Sequence, residues 1–169
     1  WQVTTDGATA LPYVTEGSEA LPAGAATAIA LDKDGALWVG IASTLVKVDP
    51  ETGQFDTYLP FGSAESAPKA VRITSIGVDD GATVWVASEN NGVVAYDFEN
   101  GKQTAAENYG SRASSGLESE VVRDLSIGDE GSVWFATPVG AFRFYSLTWA
   151  AIDDLSLSLI HISEPTRPY

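Results

Sequence analysis

The side chains able to do chemistry in this chain of 169 residues are few and mostly of one kind. There is no Cys and no Met, and a single His, His161. Thiol nucleophiles, disulfide frameworks, zinc ribbons and iron–sulfur clusters are therefore excluded. What the sequence offers instead is carboxylate: 23 Asp and Glu against 9 Lys and Arg, a formal charge of −14. Three acidic pairs recur, Asp32/Asp34, Asp79/Asp80 and Asp129/Glu130, each running directly into a Gly. Calcium binding is the chemistry such pairs could do, but the later Glu of a calcium loop is missing from the spacing. Turn formation and solubility fit them better. No metal site and no cofactor are expected. The charge repels nucleic-acid phosphates and anionic lipid, so partners are expected to be neutral, cationic or metal-bridged, with no nucleic acid among them. No stretch reaches the roughly 18 to 20 apolar residues of a membrane span, so no membrane insertion is expected within this segment.

The elements that position these residues repeat. Three segments superimpose: A-T-A-I-A-L-D-K-D-G-A-L-W-V-G, I-T-S-I-G-V-D-D-G-A-T-V-W-V-A and V-R-D-L-S-I-G-D-E-G-S-V-W-F-A. Their tryptophans, Trp38, Trp85 and Trp134, are 47 and 49 residues apart. Each unit reads as four short strands. In the first, Thr27 to Leu31 alternates, an acidic-Gly turn follows, and Leu37 to Ala42 and Leu45 to Val48 supply two more. Asp49-Pro50-Glu51-Thr52-Gly53 is a turn, with Pro presetting φ and Gly tolerating a positive one, before a last strand from Gln54 to Leu59. Four strands per period of about 48 residues is the signature of propeller blades. The fold class expected is all-β: a partial β-propeller of about three four-stranded blades plus one outer strand of a preceding blade, in which Trp1 sits. The units are residues 1–25 (that strand and its connection), 26–70, 71–120 and 121–156 (blades), and 157–169 (a tail set apart below). The Trp column is assigned to the core between blades. The first-strand column Ala30/Gly77/Ser126 is small enough to leave room for a bulky neighbour such as that Trp. Blades bury their faces only against neighbours, so the partners expected include the remaining blades of the same propeller, and three blades alone should associate or unfold.

Strand direction locates a site. In an antiparallel meander the turns one-to-two and three-to-four share one rim, and loops two-to-three and the connections between blades share the other. The second rim carries the longer segments, Pro60 to Ala70 and Asn108 to Glu120, and loops of that length tend to carry function. The ligand-binding candidates on it are Phe61, Glu65, Lys69, Glu89, Asn90, Asn91, Tyr109 and Arg112. These aromatic and polar groups suit a neutral small molecule or glycan. Arg123, near the start of an inner strand, could face the central channel or pair with Asp124.

The run D-x-D-G-x-L-W-V-G, followed by a third strand and D-P-x-T-G-x-F, resembles the two-component regulator propeller repeat. S-S-G-L-E-S-E-V-V-R-D-L-S-I-G-D-E-G-S-V-W-F-A-T is similar to the start of a blade in that family, and the resemblance covers roughly residues 26 to 152. It implies an extracytoplasmic input domain, periplasmic or extracellular, of a bacterial signal-transduction protein: a ligand-binding sensor without catalysis. Residues Leu157 to Arg167, L-S-L-I-H-I-S-E-P-T-R, resemble the translation of an adapter used in sequencing-library preparation, and the sole His lies inside them. Setting that tail apart removes His161 and leaves the charge unchanged, so no nucleophile or proton-shuttle set remains. Two alternatives stay open: a secreted propeller enzyme of the glycosidase or lyase class, and a protein-interaction scaffold. Asp129-Glu130-Gly131-Ser132-Val133-Trp134 partly resembles the Asp box of sialidases, with Ile127 where Ser is expected. Streptogramin-type lyases resemble these repeats too, but that resemblance implies a catalytic His.

Overall fold

The computed structural model describes residues 2–3, 10–11, 21–49, 51–62, 71–80, 82–99, 102–110, 116–145 and 148–152. Trp1 and the whole 157–169 tail lie outside them. Near the start, β1 (Gln2–Val3) pairs antiparallel with β2 (Ala10–Leu11). Three four-stranded antiparallel meanders follow, making the chain an all-β partial propeller. Blade one is β3 (Ala26–Leu31), β4 (Leu37–Ile41), β5 (Thr44–Val48) and β6 (Phe55–Tyr58). Blade two is β7 (Ile73–Val78), β8 (Thr83–Ser88), β9 (Val93–Glu99) and β10 (Lys102–Tyr109). Blade three is β11 (Asp124–Ile127), β12 (Val133–Thr137), β13 (Gly140–Tyr145) and β14 (Thr148–Ile152).

The alternation of the strands fixes which side chains meet. In the second strand of each blade the Trp and the residue two beyond it point towards the following blade, and the residues between them point back. Register places Trp38 between Ala30 and Lys47, Trp85 between Gly77 and Ala95, and Trp134 between Ser126 and Arg143. Two cores result. One joins blades one and two through Trp38, Leu45, Ile73, Ile76, Val84, Val86 and Tyr96. The other joins blades two and three through Trp85, Val93, Leu125, Val133, Phe135 and Phe144.

At Gly77 the small first-strand column does leave room for bulky neighbours, but they are not the Trp named for it. A Cβ on Gly77 would lie 2.5 Å from Leu125 Cδ1 and 2.9 Å from Ile127 Cδ1, so an aliphatic pair from the next blade's first strand fills that space rather than its Trp. Gly77 is instead the cross-strand neighbour of its own blade's Trp85.

Backbone polar groups also bind blade to blade. The first strands of blades one and two each carry a bulge, between Ala26 and Ala28 and between Ile73 and Ser75. The extra residue is a Thr in both. Thr27 Oγ1 donates to the Ile73 carbonyl and Thr74 Oγ1 to the Val122 carbonyl, each at 2.6 Å. Arg123 occupies this column in blade three, where it is exposed, and its N–H donates to the Ala136 carbonyl at 2.8 Å. Asp124 accepts from Ser75 Oγ at 2.8 Å and from the Leu125 N–H, and no Arg123–Asp124 ion pair forms among the described residues.

Candidate functional site

On the loop rim, the structure builds one compact feature from the β8–β9 hairpin, Glu89-Asn90-Asn91-Gly92. Ser88, fully buried, ends β8; its hydroxyl donates to the Gly92 carbonyl and accepts from the Asn91 N–H, both at 2.9 Å. The hairpin is then clamped from two sides. Glu89 N–H donates to the Arg72 carbonyl at 3.0 Å, Gly92 N–H to the Glu120 carbonyl at 2.8 Å, and Val122 N–H to the Ser88 carbonyl at 2.9 Å. Gly92 sits at φ +68°, and a Cβ there would run into the Tyr109 carbonyl, so no other residue fits. The hairpin is thereby held against the start of its own blade and against the connection to the next one.

What it presents is polar. Glu89 is exposed, as is Arg72 beside it, while Asn90 and Asn91 are half-buried. Asn90 Oδ1 is shielded from solvent and has no hydrogen-bond partner among the described residues. A shielded acceptor left unpaired costs about 1–3 kcal/mol, which a turn of the half-buried Asn90 side chain that exposes it to a donor would recover. The chemistry on offer is hydrogen bonding to a hydroxyl or amide.

The other candidates are placed differently. Tyr109 is half-buried, with its ring stacked on Trp85 at 5.8 Å and 5.5 Å from Phe144, and its hydroxyl donates to Glu107. Burial first, and then that hydrogen bond, hold its pKa above the ordinary tyrosine value. The ring serves the core between blades two and three. Phe61 is only 9 % exposed and belongs to the core around Trp38, so its ring offers nothing to a ligand. Glu65, Lys69 and Arg112 lie outside the described residues. Of the eight candidates, the structure therefore brings Glu89, Asn90 and Asn91 together, with the Tyr109 backbone packed beneath them.

The tryptophans and the acidic pairs turn out to be linked. Trp38 packs on Phe98 and Tyr58, at 5.0 and 6.0 Å, and Trp85 on Phe144 and Phe135, at 5.0 and 5.9 Å. Tyr96, packed in the same core as Trp38, has its pKa pushed up to about 12, chiefly by burial. Trp38 Nε1 donates to Asp32 Oδ2 at 3.1 Å and Trp85 Nε1 to Asp79 Oδ2 at 3.2 Å. The other oxygen of each Asp accepts turn N–H groups: Asp34 and Ala36 for Asp32, Thr83 for Asp79. These carboxylates are committed to the turn and the indole. The spacing, Asp six residues before Trp, is visible twice in the sequence and was the signal available for it. Blade three has Gly128 at that position. Trp134 there is 37 % exposed on the open face, beneath Arg143, whose guanidinium stands 5.7 Å from its ring and 5.2 Å from that of Tyr145.

No family model matches the sequence, and no curated protein sequence matches it. Solved structures do resemble it. The extracellular domain of the hybrid two-component system BT3049 from B. thetaiotaomicron superimposes with a TM-score of 0.63 at 19% identity, over 82% of this chain and 19% of that one. The corresponding domain of BT4673 gives 0.58 at 20% identity, over 78% and 17%. A streptogramin B lyase gives 0.58 at 14% identity, over 80% and 42%. The likeness is one of fold, and the chain spans about a fifth of the length of the two-component domains it matches.

Proposed function

We propose that this chain is part of an exported, ligand-sensing β-propeller, the extracytoplasmic input domain of a bacterial signal-transduction protein, and that its loop rim recognises a neutral small molecule or glycan. Two observations support the surroundings of the reading: the fold is shared with extracellular domains of two-component systems, and the repeats resemble the regulator propeller family. The observation that carries the ligand chemistry is the unpaired Asn90 Oδ1 in a hairpin clamped by three backbone hydrogen bonds. Turned outward on a hairpin whose backbone is already held, that acceptor between Glu89 and Asn91 suits a hydroxyl-rich ligand, because binding then orders little more than one side chain. The remaining blades of the propeller complete the domain.

The test is calorimetric titration of the chain with neutral mono- and oligosaccharides, comparing wild type with Asn90→Ala. Binding weakened about tenfold or more by N90A, with the melting temperature unchanged, supports the reading. Binding that N90A leaves untouched, or no binding across the panel, overturns it. A propeller enzyme is the second reading, favoured by the shared fold of the streptogramin B lyase. Turnover of a saccharide in the same titrations would select it.

A further inference from the structure

The hairpin Glu89–Gly92 is lopsided in the hydrogen-bonding groups it leaves for a ligand. Three of its four backbone N–H groups are spent inside the protein: that of Glu89 on the Arg72 carbonyl, that of Asn91 on Ser88 Oγ, and that of Gly92 on the Glu120 carbonyl. Turns that hold anions do so with successive backbone N–H groups pointing at the ligand, and here those donors are already taken. What the hairpin keeps unspent is an acceptor set. Glu89 is exposed, and its carboxylate has no ion-pair partner among the described residues. Asn90 Oδ1, once turned outward, is a second acceptor on the adjacent residue. The amides of Asn90 and Asn91 also carry donors, but these are uncharged.

Charge leans the same way. The cation beside the hairpin is Arg72, whose carbonyl holds Glu89 but whose guanidinium makes no ion pair with it. On the other side Glu120, whose carbonyl holds Gly92, lays its carboxylate against Gly110, where a Cβ would stand 3.0 Å from Oε2. Glu89 and Glu120 thus outnumber Arg72 around the hairpin, in a chain of formal charge −14. A field of that sign raises the local concentration of cations. An ammonium also brings three donors to acceptors that a hydroxyl meets with one, and its charge-assisted bonds are roughly twice as strong as neutral ones.

We propose that the glycan recognised at this hairpin contains an amino sugar with a free amine, its ammonium shared between the Glu89 carboxylate and Asn90 Oδ1. The inference rests on the rim reading given above and adds the chemical class of the ligand. It also divides the work between two neighbours. Asn90 serves any hydroxyl-rich ligand, whereas Glu89 selects the amine. N-acetylation removes the positive charge and two of the three donors, so the acetylated sugar keeps only the contacts to Asn90 and its neighbours.

The experiment is calorimetric titration with the disaccharide of glucosamine and with its fully N-acetylated counterpart, which share one skeleton. Wild type is compared with Glu89→Gln and with Asp80→Asn, each checked for an unchanged melting temperature. Asp80 is exposed in a turn of the opposite rim, so D80N removes the same charge without touching the hairpin. Wild type is expected to bind the amine form about tenfold or more tighter than the acetylated form. In E89Q the two affinities are expected to fall within about twofold of each other, while D80N keeps the wild-type preference. An acetylated form that binds wild type as tightly as the amine overturns the inference and leaves the saccharide reading standing. Equal losses from E89Q and D80N also overturn it, since the attraction is then to net charge and not to this hairpin. Binding of neither disaccharide overturns it as well, and the wider saccharide panel then decides the reading on which it rests.

Discussion

The residues that decide most in this molecule are Asp32 and Asp79, each of which closes a turn with one oxygen and takes an indole N–H with the other. An exposed acid in the same pair, Asp80, shares the charge without either bond. Replacing Asp79 by Ala leaves the Trp85 N–H facing a vacancy in a partly buried setting and frees a turn N–H. The expected loss is about 1–3 kcal/mol, read by urea denaturation followed by tryptophan fluorescence. Asp80→Ala should stay within about 0.5 kcal/mol. Equal losses from the two variants would mean that net charge and not the Asp–Trp bond is at work. Composition and motif spacing pointed to turn chemistry for these acids, but not to the indole. That bond depends on where the Trp ring turns, and a ring's direction is set by the neighbouring blade. The same limit applies to Phe61 and Tyr109: as loop aromatics they read as ligand platforms, and packing draws both rings into the cores.

At the scale of strands, the repeat made the architecture legible before any coordinates, because a period near 48 with four alternating segments has few other solutions. Strand limits agree to within a residue or two: Thr27 to Leu31 is found as Ala26–Leu31, and Gln54 to Leu59 as Phe55–Tyr58. The bulges at Thr27 and Thr74 were not legible, since a bulge leaves the alternation nearly intact while adding one unpaired residue. Nor was the occupant of the small column. Gly77 shows why it matters: any side chain there meets Leu125 and Ile127 before the sheets reach their spacing. Gly77→Val is expected to push blade three away from blade two and cost about 1–3 kcal/mol or more. The check is chemical denaturation alongside a double variant, Gly77→Val with Leu125→Ala, in which the added and removed volume partly offset. A double variant no more stable than Gly77→Val alone would place the strain elsewhere.

The whole molecule is a short stack in which each blade touches only its neighbours, so stability should be distributed by position rather than shared evenly. Blade two is covered on both faces. Val84, Val86 and Val94 face blade one, Trp85 and Val93 face blade three, and none of the five is more than 4 % exposed. Blades one and three are each covered by a described blade on one side only, and their far faces show the difference in Ile29, Leu31 and Trp134. Opening of an outer blade breaks one interface, whereas opening of blade two breaks both, together with the Thr27 and Thr74 bonds that cross them. Amide hydrogen exchange should therefore rank the second strands in the order β8 slowest, with β4 and β12 faster, although all three have the same hydrogen-bonding pattern. The measurement belongs at protein concentrations low enough to hold the chain monomeric, because any association that covered the far faces would protect β4 and β12 and erase the ranking. Equal protection of all three strands in the monomer would mean that the stack opens as a single cooperative unit, and that the interfaces between blades are stronger than the blades themselves.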